Sequence, residues 1–134
     1  MKLRRTLLVC TAVSFAMIDL VHKSFASAEF HHARTQFVSL IMAALIAALV
    51  VLVPRVPSNA AAIGAGIACG GALGNLISLF AWSQGVPDPL VVAGTLHGLA
   101  FNLADLFAIT GDALLLSAVV LHGIRHRARL GESV

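Results

Sequence analysis

The amino-acid sequence predicts an all-α membrane protein, a bundle of four transmembrane helices with both termini in the cytoplasm. Hydrophobic residues make up 59% of the 134 residues and charged residues only 11%, whereas soluble domains average about half and about a quarter. Four apolar stretches approach the roughly 20 residues that a helix needs to cross a bilayer. A chain of this length has room for one such unit, so residues 1–134 are predicted to form a single membrane domain.

The helices are predicted from the apolar stretches and from the breaks between them. Pro54-Arg55-Val56-Pro57-Ser58-Asn59 predicts a tight turn, and the segment from Ser83 to Pro89 breaks the chain again. The predicted helices cover residues 6–25, 37–54, 60–82 and 101–124. In the third helix, small residues at every fourth position predict that another helix approaches closely; they are Ala62, Gly66, Gly70, Gly74 and Ser78.

The lysine and arginine residues predict the orientation of the bundle. Only Lys23 and Arg34 of the nine fall on one side of the predicted membrane, and the positive-inside rule assigns the other side to the cytoplasm. The residues on the cytoplasmic side are Lys2, Arg4, Arg5, Arg55, Arg125, Arg127 and Arg129. The pI near 9.5 follows from these anchors, and no aromatic-rich basic patch indicates a nucleic-acid partner.

The first helix has an alternative interpretation as a cleaved signal peptide. A basic start is followed by an apolar core, and Ala26-Ser27-Ala28 resembles a cleavage site. Asp19, His22 and Lys23 lie between that core and that site, where a signal peptide has small uncharged residues. A membrane-spanning helix is therefore the favoured interpretation.

Ionisable and amide side chains inside apolar sequence indicate where function lies, because they are costly in a bilayer. Asp105 lies about one helical turn after Asn102, so the two share a face. Asn75 follows Gly70-Gly71-Ala72-Leu73-Gly74 in the third helix. Asp19 and Lys23 are four residues apart at the end of the first helix and can pair; alternatively, Lys23 anchors that helix at the headgroups.

These motifs, in this order, resemble those of signal peptidase II, the lipoprotein signal peptidase of bacteria. The family carries an Asp-x-x-x-Lys element where Asp19 and Lys23 stand, a Gly-Asn motif where Asn75 stands, and an Asn-x-Ala-Asp motif matched by Asn102 and Asp105. The resemblance implies an intramembrane aspartic endopeptidase of the bacterial inner membrane. It cuts diacylglyceryl-modified prolipoproteins just before the lipid-bearing cysteine and requires no cofactor.

The resemblance implies a catalytic pair of aspartates. Asp105 matches the second of them, and Asp88, the only carboxylate between the third and fourth helices, is the candidate for the first. The alternative for Asp88 is a turn residue, since Pro87-Asp88-Pro89 is typical of turns. Asp19, Lys23, Asn75 and Asn102 are then implied to support the site or bind substrate.

The chain departs from the family pattern at two places. Ser78-Leu79 stands where the family has Asp-Arg after its Gly-Asn motif. The segment from His31 to Phe37 replaces an Asn-x-Gly-Ala-Ala-Phe element, and the stretch between the first two helices is shorter than in the family. No metal site is expected at His31 and His32, because adjacent residues of a strand or helix point apart.

Three functions of different class remain open from the sequence. The first is an active peptidase whose partners are a prolipoprotein and membrane lipid. The second is an inactive relative that binds lipidated peptides or a membrane partner, which the two departures favour. The third is a small proton-coupled carrier that uses Asp105 and Asp112, two intramembrane carboxylates of the fourth helix. The oligomeric state is left open.

Overall fold

The computed structural model describes residues 1–92 and 99–131, with side chains through residue 128, so the side chain of the predicted anchor Arg129 lies outside the described part. Its helices are α1 Lys2–Phe25, α2 Gln36–Leu52, α3 Asn59–Ala81 and α4 Leu103–Gly131, with a 3-10 turn at Val53–Arg55. Among the described residues, four helices are long and apolar enough to cross a membrane, in agreement with the four helices predicted. The observed α4 begins two residues later than predicted and extends to Gly131.

Helix α3 lies at the centre and packs along its length against α1 on one side and α4 on another. Gly66 lies against Leu8, and Gly74 lies against Asp19, so α1 and α3 run parallel. Gly64 lies against Leu115 and Gly71 against Ala104, so α4 runs antiparallel to α3. This arrangement brings the C-terminal ends of α1 and α3 to the same end of the molecule as the N-terminus of α4.

The predicted stripe of small residues on α3 is the surface that meets α1. A side chain at Gly74 would collide with the Asp19 carboxylate, and one at Gly70 would lie 2.6 Å from the β-carbon of Phe15. The absence of side chains therefore allows the two backbones to approach, as is common between membrane helices. A second surface of small residues, which the sequence did not predict, meets α4: a side chain at Gly71 would collide with the Ala104 carbonyl oxygen.

Helix α2 lies at the periphery. The structure describes all of its residues, and none of them is buried. The helix is apolar enough to cross a membrane. Its first turn is capped by Thr35, whose hydroxyl accepts a hydrogen bond from the Val38 amide at 3.3 Å. Ser58 caps α3 in the same way through the Ala61 amide at 3.2 Å. Such caps satisfy amides that the helix itself leaves unpaired.

The prediction of an all-α fold omitted four short strands that flank the helices. They are β1 Phe30–His32, β2 Val86–Asp88, β3 Leu90–Val92 and β4 Leu99–Phe101. β1 pairs with β2 and β3 with β4, both antiparallel. Three-residue strands are too short to show an alternating pattern in sequence. Gly85, with φ of 103°, turns the chain from α3 into β2 through a conformation that favours glycine.

The close contact between α3 and α4 leads to a stability prediction. Gly71→Ala should lower the melting temperature in detergent, because the new methyl group meets backbone rather than a movable side chain. Overpacking of this kind costs about 1–3 kcal/mol. Gly123→Ala is the matched control, since nothing lies within 4 Å of a side chain at that position of α4. Equal melting temperatures for the two variants would contradict this packing.

Candidate active site

All six residues singled out by the sequence lie in one connected polar network. α1 contributes Asp19 and Lys23, α3 contributes Asn75, and β2 contributes Asp88. Asn102 and Asp105 come from the start of α4. Five of the six are buried, and the Asp105 side chain is 31% exposed. The network lies where the C-terminal ends of α1 and α3 meet the N-terminus of α4.

Asn102 bonds both candidate aspartates. Its side-chain Nδ2 donates to Asp88 Oδ1 at 2.6 Å, and its backbone amide donates to Asp105 Oδ2 at 3.1 Å. Its side-chain Oδ1 accepts from the Asp105 amide at 3.2 Å. The exchange between Asn102 and Asp105 is a capping box, in which the residue before the helix and the third helical residue satisfy each other's amides. The spacing of Asn102 and Asp105 thus sets the start of α4, and Asn102 holds the carboxylates of both Asp88 and Asp105.

Asn75 holds the other oxygen of Asp105 and links it to a buried cation. Its Nδ2 donates to Asp105 Oδ1 at 3.0 Å, while its Oδ1 accepts from Lys23 Nζ at 2.8 Å. The carboxamide is 4% exposed, and both of its polar atoms have partners, as burial requires. Asn75 therefore connects the charge of Lys23 to the carboxylate of Asp105.

Lys23 is buried, and its three donors all have partners. Its Nζ donates to Asp19 Oδ2 at 2.6 Å, to Asn75 Oδ1 at 2.8 Å and to Ser78 Oγ at 3.2 Å. The predicted Asp19–Lys23 pair is therefore confirmed, and the interpretation of Lys23 as a headgroup anchor is wrong, because its side chain has no exposed surface. Asp19 Oδ1 also accepts from the Ala104 amide at 2.9 Å. Asp19 thus ties α1 to the N-terminus of α4, where a negative charge is favourable.

Ser78 occupies the position at which the family carries an aspartate. Its hydroxyl accepts from Lys23 and donates to the Gly74 carbonyl at 2.7 Å. A hydroxyl here supplies a hydrogen bond without a second negative charge, so Asp19 is the carboxylate in direct contact with Lys23 in the part of the chain that the structure describes. The local connection from Lys23 to Asn75 is retained despite the substitution.

Asp88 lies within a strand instead of a turn, and its side chain is 6% exposed. Two basic residues that the sequence analysis did not assign to the site face the aspartates. His32 Nδ1 lies 2.5 Å from Asp88 Oδ2, and an Arg34 guanidinium nitrogen lies 4.0 Å from Asp105 Oδ1. The pairing of β1 with β2 brings the segment before α2 to Asp88. No local sequence pattern predicted this contact.

A cleft of about 540 Å³ opens beside the network, between the start of α2 and the end of α3. Arg34 stands at its polar end, and Leu40, Leu76 and Phe80 are among its apolar lining residues. Asp112, in contrast, is exposed on α4 outside the network. Within residues 1–92 and 99–131, no group of three or more His, Cys, Asp or Glu side chains is arranged to hold a metal ion.

A model of a known protein family matches most of the chain. The family model described as signal peptidase (SPase) II matches residues 4–121, a range that includes every residue of the network. No curated protein and no solved structure matched the chain. Because the family model covers most of the 134 residues, the chain belongs to the signal peptidase II family.

Proposed function

We propose that this protein is an intramembrane aspartic endopeptidase that removes signal peptides from diacylglyceryl-modified prolipoproteins. The observation that carries the proposal is the attachment of two carboxylates, Asp88 and Asp105, to the same buried residue, Asn102. A buried carboxylate such as Asp88 is costly unless it is paired or its charge is used. Family membership supplies the substrate class.

Two neighbouring carboxylates support peptide hydrolysis without a cofactor. In the proposed mechanism the pair carries one proton. The ionised carboxylate takes a proton from water, and the resulting hydroxide attacks the scissile carbonyl carbon. The protonated carboxylate donates to the carbonyl oxygen, which gives a tetrahedral intermediate. As the C–N bond breaks, the carboxyl group that took the proton from water gives it to the departing amine nitrogen, and the other carboxylate takes a proton back from the intermediate, so the pair again holds one proton. Asn102 donates to both carboxylates and does not itself titrate, so it fixes their geometry without competing for the proton.

The remaining polar residues support this pair. Asn75 and Asn102 each donate to one oxygen of Asp105, which restricts rotation of its carboxylate. Lys23 orients Asn75, and Asp19 neutralises Lys23. Preorganised dipoles of this kind lower the reorganisation needed during reaction.

We further infer that both termini face the cytoplasm and that the site opens toward the other side of a bacterial inner membrane. The excess of lysine and arginine at the termini and at Arg55 supports this orientation. The parallel course of α1 and α3 and the reversed course of α4 support it too, because they put Asp19, Asn75 and Asp105 at the end away from those cations. Cleavage after Ala28 would remove Asp19 and Lys23 from the network, so α1 is proposed to stay in the mature protein.

An inactive relative that binds lipidated peptides is the second candidate. It is favoured by Ser78-Leu79 in place of Asp-Arg and by the altered segment from His31 to Phe37. The two candidates differ in turnover: both bind a lipidated peptide, but only the peptidase cuts it.

The proposed pair of aspartates predicts the effect of replacing either carboxyl group by an amide. Asp105→Asn and Asp88→Asn should each lower cleavage of a diacylglyceryl-prolipoprotein by about 100-fold or more, because an amide is nearly isosteric but cannot exchange the proton. Asp112→Asn, at an exposed position of the same helix, is the control and should cleave normally. The measurement is the rate of signal-peptide release by protein reconstituted in liposomes.

Two outcomes of that measurement count against the proposal. Wild-type protein that binds lipidated substrates without cleaving them would favour the inactive relative. Turnover that survives Asp105→Asn would refute the aspartic mechanism.

The buried lysine predicts an order of stability. Lys23→Met should destabilise the protein by about 3–5 kcal/mol, because it leaves the Asp19 carboxylate buried and unpaired. Asp19→Asn combined with Lys23→Met should recover part of that loss, since no charge then remains. Both proteins should cleave slowly, because Asn75 loses its donor. Thermal unfolding in detergent measures the order; a double variant less stable than Lys23→Met alone would contradict it.

A further inference from the structure

His32 reaches Asp88 through the pairing of β1 with β2. In this antiparallel register His32 lies opposite Val86, and Phe30 lies opposite Asp88. His32 and Asp88 are therefore diagonal neighbours on the same face, within reach of a long side chain. The His32 Nδ1 lies 2.5 Å from Asp88 Oδ2, with 33% of the His32 side chain and 6% of the Asp88 side chain exposed.

The two oxygens of Asp88 are thereby held by two different residues. Asn102 Nδ2 donates to Oδ1 at 2.6 Å, and His32 Nδ1 lies within hydrogen-bond distance of Oδ2. A carboxylate so held cannot rotate without losing one of its partners. The backbone gives little compensating freedom, because Pro87 and Pro89 flank Asp88 and proline fixes its own φ angle.

We propose that His32 is a positioning residue of the peptidase, one that acts through Asp88 and biases it toward the ionised form that takes the proton from water. The inference rests on the proposed aspartic mechanism. Hydrogen bonding to an ionised carboxylate favours that form, and a histidine donor can carry a positive charge as well. Asp105 accepts only amide donors at hydrogen-bond distance among the described residues, whereas Asp88 has a histidine as well as an amide beside its oxygens.

Two further cations of the described residues lie near the pair, and neither contacts Asp88. Arg34 is 4.0 Å from Asp105 Oδ1, beyond hydrogen-bond distance. Lys23 faces the pair from α1 but is separated from Asp105 by Asn75. Of the ionisable groups in the described part of the chain, His32 from β1 is the one in direct contact with Asp88.

His32 belongs to the segment in which this chain departs from the family pattern. From His31 to Phe37, the sequence does not carry the Asn-x-Gly-Ala-Ala-Phe element. The departure was an argument against activity, yet this segment contributes the direct partner of Asp88. His32 therefore belongs to a part of the site in which this chain departs from the family pattern.

Histidine 31 provides a matched control. It is the adjacent residue, of the same type and similarly half-buried. It lies opposite Pro87, and successive side chains of a strand point to opposite faces. A change at His31 alters the same strand without touching the Asp88 carboxylate.

The kinetic test compares His32→Asn, His32→Leu and His31→Asn in liposomes with a diacylglyceryl-prolipoprotein. His32→Leu should lower kcat by about 10- to 100-fold, the range for losing a hydrogen bond to a charged group, with KM changed less than about twofold. His32→Asn keeps a donor near the Nδ1 position and should recover part of kcat. The acidic limb of the pH dependence of kcat should move to higher pH in His32→Asn, because a neutral amide favours ionised Asp88 less than histidine does. His31→Asn should match the wild type in kcat, in KM and in the position of the acidic limb.

Kinetics also supply the results that would overturn the inference. Equal kcat for His32→Leu and His31→Asn would do so, as would a change in KM alone. An unmoved acidic limb in His32→Asn would reduce His32 to a structural residue.

A spectroscopic test separates this inference from the proposed function. Protein labelled with ¹⁵N in its histidines gives a His32 Nδ1 resonance that is assigned by its loss in His32→Asn. Asp88→Asn should shift that resonance, whereas Asp112→Asn should leave it in place. An unshifted resonance in Asp88→Asn overturns the inference even in an active enzyme. A shifted resonance in a protein without turnover supports the His32–Asp88 contact while the proposed peptidase function fails.

Discussion

The ammonium group of Lys23 is the constraint on which the rest of the site depends. A cation without exposed surface inside a membrane protein is tolerable only if each of its donors has a partner. Those partners come from two helices, Asp19 on α1 and Asn75 and Ser78 on α3. The helices must therefore lie close enough for side chains of one to four carbons to meet, and Gly74 permits this because it leaves room for the Asp19 carboxylate. The packing of α1 against α3 and the pairing of the Lys23 charge therefore depend on the same contacts.

The same lysine explains how the chain accommodates Ser78. With one carboxylate in direct contact, the charge of Lys23 is balanced by Asp19, and the remaining donors bind neutral oxygens. A second carboxylate at position 78 would add a negative charge that requires a further cation nearby, and Leu79 cannot supply one. The replacement of both members of the Asp-Arg pair therefore leaves the local charge balanced. Loss of that pair changes the surroundings of the site while the path from Lys23 to Asp105 is maintained.

Sequence reasoning succeeded where a feature is encoded locally and failed where it depends on distant pairing. Apolar length predicted the four spans, and the i, i+4 spacing predicted the Asp19–Lys23 pair. The contact surface of Gly71 against Ala104 was missed because scattered small residues of α3 and α4 form a surface only after the helices pack. The strand that contains Asp88 and the approach of His32 were missed for a related reason: three-residue strands carry too few side chains for a pattern, and their partners are more than fifty residues apart in sequence.

The two aspartates differ in a way that suits their proposed roles. Asp88 is enclosed between Asn102 and His32 in a strand flanked by prolines, whereas Asp105 retains an exposed surface of 31% near Arg34. None of the α2 residues is buried, and Arg34 also lines the cleft between α2 and α3. A fixed carboxylate suits the group that orients water, and an accessible one suits the group that delivers a proton to the substrate carbonyl oxygen.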